Sequence, residues 1–263
     1  MPASTLTVLR RHAAALQSRA HAPYSRQADA TVLLLADGTW VPGVRVESAA
    51  FPLTIPSPLN ALTTAVAAGR TDIVAAVFSA SLPAWERTFL TTLPFAPMAP
   101  VADDAVAAAP AEDLPTVGSR LDPFLPDAPP PSPADGIRLA RRVAGRALVP
   151  ASAFPVGCVA VLPQGRLVPG VNVEPPDWTR ILCAERAALG TAVTYGAGPV
   201  TALYLSCPKD PTGTPCGACR QLLVELAPDA VLWMDRGTAP PDSSPVPTLL
   251  PGSFRGQALL RDR

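Results

Sequence analysis

VPGVNVE (168–174) decides the architecture, because VPGVRVE (41–47) has already spelled it once, with Arg45 where Asn172 later stands. Each residue of the second stretch lies 127 positions after its counterpart, and the same offset pairs RAHAPYS (19–25) with RALVPAS (146–152). The register runs on without a gap through Ala61/Ala188, Leu62/Leu189, Ala65/Ala192, Val66/Val193 and Gly69/Gly196. A period of domain size points to two copies of one fold and not to a short-repeat solenoid. Between the copies, LPDAPPPSPADG (125–136) reads as a stiff, polar connector. The expected division is therefore a first domain over 1–126, a Pro-rich linker at 127–133 and a second domain over 134–263.

Within the second copy, FPVGCVAVL (154–162) and GRLVPGVNVE (165–174) read as two strands joined by a turn at Pro163-Gln164-Gly165. CAERAALGTAVTYG (183–196) has the Ala/Leu content of a helix that stops at glycine. ALYLSC (202–207) is a short apolar strand, PCGACRQLLVEL (215–226) starts a second helix behind a proline, and AVLWMD (230–235) supplies another strand. The order β-β-α-β-α-β describes a sheet covered by helices, an α/β sandwich.

At 263 residues the chain is long enough for one large core or two ordinary ones. Lys and Arg balance Asp and Glu at 21 each, so no overall basic field draws the protein to nucleic acid or anionic lipid, and a small neutral partner is the better expectation. MPASTLTVLRRHAAALQ lacks the continuous apolar core of a signal peptide, and no run of about 18 apolar residues follows it, so a cytoplasmic protein without a membrane partner is expected.

All five cysteines, Cys158, Cys183, Cys207, Cys216 and Cys219, lie in the second half, and an odd count suits thiol or metal chemistry better than a disulfide framework. His12 and His21 are far away in sequence, so a metal site built locally must use sulfur or carboxylate. In TPCGACRQLLVEL (214–226), the pair Cys216/Cys219 is by itself open between a thioredoxin-like redox couple and metal ligands. Cys183 stands at the other predicted helix start, with Glu185 two positions on. Helix N-termini favour thiolate, which is the form zinc needs. Three protein ligands would leave a fourth tetrahedral position open, the mark of a catalytic zinc.

CAER (183–186) together with PCGACRQ (215–221) resembles the cytidine deaminase family, over about residues 150–254. The resemblance implies an α/β fold of two tandem cytidine-deaminase-like sandwich domains, each a mixed sheet covered by helices. It implies one Zn²⁺ per chain on Cys183, Cys216 and Cys219, with Glu185 moving protons while water attacks C4 of a cytosine ring. Asn172 and Glu174 would grip the ribose hydroxyls, Phe154 would lie against the base, and Ala184 would join the substrate-binding positions. Phe254 resembles a C-terminal aromatic that reaches a neighbouring domain's pocket. Arg186 is open between a hydrogen-bond donor to the sulfurs and a solvated helix arginine. Plain core remains the alternative for Phe154 and Phe254, and a wet strand face for Asn172 and Glu174. Cys158 and Cys207 match no zinc position and read as small buried thiols.

The activity implied is hydrolytic deamination of cytidine or deoxycytidine to the uridine product and ammonia, as in pyrimidine salvage. Two departures touch substrate choice: VPASAF (149–154) lacks the family's tyrosines, and the usual polar segment has become NVEPPDW (172–178). A modified nucleoside or related aminopyrimidine is therefore the alternative substrate, and a zinc-stabilised scaffold without turnover the alternative class. The register puts Pro56 and Pro58 opposite Cys183 and Glu185, while Ala84 and Arg87 take the places of Cys216 and Cys219 after a five-residue loop shortening. Gln27 stands for Phe154, and only Glu47 still mirrors Glu174. The first copy therefore reads as an inactive fold. Because single-domain members of the family are tetramers, the expected assembly is a homodimer that mimics four domains.

Overall fold

The computed structural model describes residues 4–81 and 83–260. In the first copy, α1 (Thr5–Leu16) is followed by β1 (Ala30–Leu35), β2 (Trp40–Val44), α2 (Ser57–Ala67), β3 (Ile73–Phe78), α3 (Ala84–Thr91), β4 (Ala99–Ala102) and β5 (Ala105–Ala107). The second copy contains α4 (Pro133–Ala144), β6 (Gly157–Val161), β7 (Leu167–Val171), α5 (Ala184–Thr194), β8 (Ala202–Ser206), α6 (Gly217–Leu226), β9 (Val231–Met234) and β10 (Asp242–Pro245). The offset of 127 carries β2 onto β7 and α2 onto α5 to the residue.

The repeated VPGV has a physical reason. β2 and β7 are edge strands of their sheets, where Pro42 and Pro169 need not donate to a further neighbour. The flanking valines Val41, Val44, Val168 and Val171 are all fully buried. A Cβ on Gly170 would lie 2.1 Å from the Ala184 carbonyl oxygen, and one on Gly43 would lie 2.4 Å from that of Ser57. Only glycine lets α5 and α2 come this close to their sheets. Gly170 pairs with Cys158 across β6 and β7, so the two share a face and Gly157 looks the other way. A Cβ there would strike Ala140 of α4 at 2.2 Å. Helices α4 and α5 therefore cover opposite faces of the second sheet.

The second sheet has the order β10-β9-β8-β6-β7, with β8 and β9 parallel and the other pairs antiparallel. Its parallel pair comes from the crossover through α6, as a βαβ connection requires. A mixed sheet was expected in each copy, but the first sheet, β2-β1-β3-β5-β4, is antiparallel throughout. There the chain leaving α3 makes a β4–β5 hairpin, and β5 takes the place beside β3, displacing β4 to the edge.

The copies pack through α2 and α5, around a contact between equivalent residues. Thr64 Oγ1 and Thr191 Oγ1 lie 2.8 Å apart in the buried interface. Asn60 Nδ2 on α2 faces the Gly190 carbonyl oxygen at 3.2 Å and Thr194 Oγ1 at 3.0 Å on α5, and also donates to Val44 O at 2.8 Å. Glu225 on α6 accepts from Ser48 Oγ and the Ala49 N–H of the first copy. The segment before the linker ties both edge strands together, with Trp40 N donating to Ser119 O and Leu125 N to Leu167 O.

Candidate active site

Three short stretches converge at the end of the second sheet. Cys183 is the N-cap of α5, Cys216 is the N-cap of α6, and Cys219 sits in the first turn of α6. Their sulfurs lie within 4.8 Å of one another, and Cys183 Sγ and Cys216 Sγ are 3.8 Å apart. Two thiolates held at ~2.3 Å by one tetrahedral ion would be separated by ~3.8 Å, so the spacing fits zinc. A disulfide would need ~2.0 Å between sulfurs. Hydrogen bonds from the Cys183 and Cys219 thiols, joined by the backbone N–H groups of Cys219 and Ala218, pull the Cys216 thiol down from its ordinary value. The same thiol contacts, with burial, push Cys183 and Cys219 up, so the three soft sulfur donors share one readily formed negative charge, centred on Cys216. The set could hold a zinc with one coordination position left for a non-protein ligand.

Glu185 occupies the first turn of α5 and is 3 % exposed. Burial, opposed by a backbone hydrogen bond and aided by the charge at Cys216, pushes its carboxyl up to about 7. All three cysteines and Glu185 line one cavity of about 350 Å³, together with Phe154, Asn172 and Glu174. The structure therefore brings most of the sequence-predicted residues to a single place.

Glu174 is held rigidly: its Oε2 accepts from the N–H groups of Ala151 and Ser152 at 3.0 Å each, and its Oε1 from Ser152 Oγ. Asn172 uses its amide locally, Oδ1 accepting from Val156 N at 2.8 Å and Nδ2 donating to Phe154 O at 2.9 Å. It thereby fastens the segment that carries Phe154 into β6 to the end of β7, and one lone pair and one hydrogen of the amide stay available. β7 ends at Val171, and Val173 continues it only through isolated bridges to Leu148 and Leu182.

Three expected positions do not line this cavity, among them Phe254, which was expected at a neighbouring domain's pocket and not at this one. Ala184 is fully buried and does not line the cavity. Arg186 does not donate to the sulfurs: its Nη2 donates to Leu53 O of the first copy at 2.9 Å, and its Nε is buried without a partner among the described residues. The reason is its place on α5, which packs toward the first copy. Phe254 is half-exposed and outside the cavity, while its carbonyl accepts from Gln221 Nε2 at 2.6 Å. Sequence reading also overlooked wall residues. Trp178, 63 % exposed, and Ile181 stand at the cavity on the loop before Cys183, and Cys207 lines it from the end of β8. Trp178 carried a signal, an aromatic beside Pro175, Pro176 and Asp177 in a segment too polar for core.

In the first copy the corresponding ground is filled. Pro56 caps α2, and Pro56, Pro58, Trp85 and Phe89 close around a space of about 10 Å³. Arg180 of the second copy lies over the Trp85 ring, 4.2 Å from its centre. No cysteine occurs there, and Cys183, Cys216 and Cys219 are the group suited to a metal among the described residues.

Residues 133–235 match the family model described as the cytidine and deoxycytidylate deaminase zinc-binding region, and residues 3–82 match a second model of the same description. The chain is 34 % identical over 112 residues to a cytidine deaminase of Halalkalibacterium halodurans, covering 42 % of this chain and 85 % of that protein. It is 36 % identical over 124 residues to a cytidine deaminase of Mycobacterium tuberculosis, covering 47 % of this chain and 90 % of that protein. A solved cytidine deaminase of Burkholderia pseudomallei aligns with a TM-score of 0.44 at 31 % identity, covering 46 % of this chain and 98 % of that one. With two matched zinc-binding regions in tandem and relatives covered over most of their own length, the chain belongs to the cytidine and deoxycytidylate deaminase family.

Proposed function

We propose that the protein is a zinc-dependent hydrolase that deaminates cytidine or deoxycytidine, with one zinc per chain held by Cys183, Cys216 and Cys219. The observation that carries this reading is the joint lining of one cavity by three clustered sulfurs, the buried Glu185 and the rigidly held Glu174. When bound, zinc supplies the Lewis acidity that makes water nucleophilic near neutral pH. Glu185, poised near neutrality by burial, takes one proton of the attacking water and passes it to the ring nitrogen N3, then takes the proton of the new C4 hydroxyl and delivers it to the amino group, which leaves as ammonia as the C4 carbonyl forms. Glu174, fixed by three donors from Ala151 and Ser152, keeps acceptor capacity for ribose hydroxyls. Phe154 offers its ring to the base, and Asn172 holds the backbone that presents it.

The first copy, over 1–126, keeps the fold without the chemistry, and the second, over 134–263, carries it. Two such chains would form a homodimer of four domains, in which Phe254, exposed on its own chain, reaches toward a neighbouring pocket. All five cysteines are free, which suits a reducing compartment such as the cytoplasm. Among the described residues no helix is long and apolar enough to cross a membrane. A second reading, turnover of a modified nucleoside, is favoured by Trp178, whose exposed ring beside the cavity gives a larger substrate something to stack on. Ultraviolet assay against a panel of free nucleosides and bases, with metal analysis, tests both. Loss of absorbance with cytidine or deoxycytidine and one zinc per chain are expected, and a metal-free or inert protein would overturn the reading.

A further inference from the structure

The first copy keeps a cavity of about 230 Å³ beside the ground that its prolines and Trp85 have closed. It corresponds in register to part of the nucleoside cavity: Arg45 stands for Asn172, Asp29 for Val156 and Gln27 for Phe154. The backbone link is the same in both copies, Arg45 N to Asp29 O matching Asn172 N to Val156 O. Glu47 is also held as Glu174 is, by Tyr24 N, Ser25 N and Ser25 Oγ. Here, however, Arg45 Nε donates to Glu47 Oε1 at 3.0 Å, so the oxygen that would meet a sugar is taken. Chemically the cavity has been remade.

Its charges do not balance. Arg45 neutralises Glu47 and stands 3.6 Å from Asp29 Oδ2, leaving Asp29 Oδ1 buried without a partner among the described residues. Glu86, from the first turn of α3, is only 8 % exposed and lines the cavity. Among the described residues no hydrogen bond to its carboxyl is found; burial and the charge of Asp29 act against its ionised form, and only the charges of Arg45 and Arg180 favour it. The lining thus sets two carboxylates, Asp29 and Glu86, against one guanidinium, Arg45, which Glu47 also engages. Burying a carboxylate without a donor is costly, and a ligand that brings N–H donors with a positive charge removes that cost.

We propose that this first-copy cavity binds a small organic cation of the amidinium or guanidinium class, its N–H groups donating to Glu86 and Asp29. A fixed fork of donors matches two carboxyls better than a compact ammonium does. Arg180 links the two cavities physically, because it follows Trp178 by two residues in the loop beside the active cavity and covers Trp85 in the first copy.

The test uses full-length protein at pH 8, titrated with acetamidine hydrochloride and, separately, with its neutral isostere acetamide, followed by ligand-observed NMR. Saturable binding of acetamidinium, at least tenfold tighter than acetamide, is expected. Glu86→Gln should weaken it roughly tenfold to a hundredfold, the range for a charge-assisted hydrogen bond. Asp29→Asn serves the same purpose if the first variant fails to fold, as judged by circular dichroism. Glu185→Gln should leave the binding unchanged, which separates this cavity from the active one. Absence of saturable binding, equal affinity for acetamide, indifference to the first-copy substitutions or loss in Glu185→Gln would each overturn the proposal. The readout involves no turnover, so its failure is distinct from failure of the deaminase reading.

Discussion

Glu86→Gln should make the protein more stable at pH 8 and nearly neutral at pH 5. Burial, reinforced by Asp29, raises the Glu86 carboxyl from 4.5 to about 7 in the fold. In the unfolded chain it returns to the ordinary carboxylate value. Between about pH 4.5 and 7 the native state therefore holds a proton that the unfolded state has lost, and stability falls as pH rises through this window. A shift of that size corresponds to an upper bound of ~3 kcal/mol at pH 8, using ~1.4 kcal/mol per unit. Residual solvation of a group that is not wholly enclosed reduces this to ~1–2 kcal/mol. Glutamine keeps the shape and has no charge to bury, so it escapes the penalty. Urea unfolding of parent and variant at both pH values gives the answer as a difference of differences, in which acid effects on the cysteine cluster cancel. A gap between the two proteins that does not widen from pH 5 to pH 8 would refute the assignment of Glu86 as an unpartnered buried acid.

Glu185→Gln should retain zinc by metal analysis while turnover falls by ~10²–10⁴, the range for a lost general acid–base group; near-normal activity would remove Glu185 from proton transfer. Glu174→Ala should raise KM for nucleosides far more than for the free base, which has no ribose to lose, and equal effects would place Glu174 outside the sugar site. Gly190→Ala would set a methyl 2.6 Å from Asn60 Oδ1. Because Asn60 is pinned between the copies, the substitution should cost about 1–3 kcal/mol in thermal unfolding, and an unchanged Tm would mean that the interface yields.

What the chain reveals unaided depends on how local each cause is. Cys183, Cys216, Cys219 and Glu185 are legible because zinc chemistry restricts both residue type and position on a helix start. The edge strands are legible too, since VPGV encodes burial, edge and close approach within four residues. Arg186 was misplaced because its partner, Leu53 O, lies 133 residues away, across an interface that no local pattern describes. The antiparallel first sheet was hidden for the same reason, as strand order is a long-range property. Glu86 looks like a solvated residue of an exposed helix turn, and only its burial beside a cavity that Asp29 also lines shows otherwise.

The contact of Thr64 with Thr191 marks where a two-fold axis would pass if the copies were separate, identical chains. On such an axis every change is made twice, and each residue must suit its own image. Joining the copies end to end releases that constraint. Asn60 can fill a gap that Gly190 leaves, although its own counterpart is Ala187 and the counterpart of Gly190 is Thr63. One side can grow while the other shrinks. The same release lets one half surrender its cysteines while the other keeps them, a division of labour that a self-pairing single copy could never inherit.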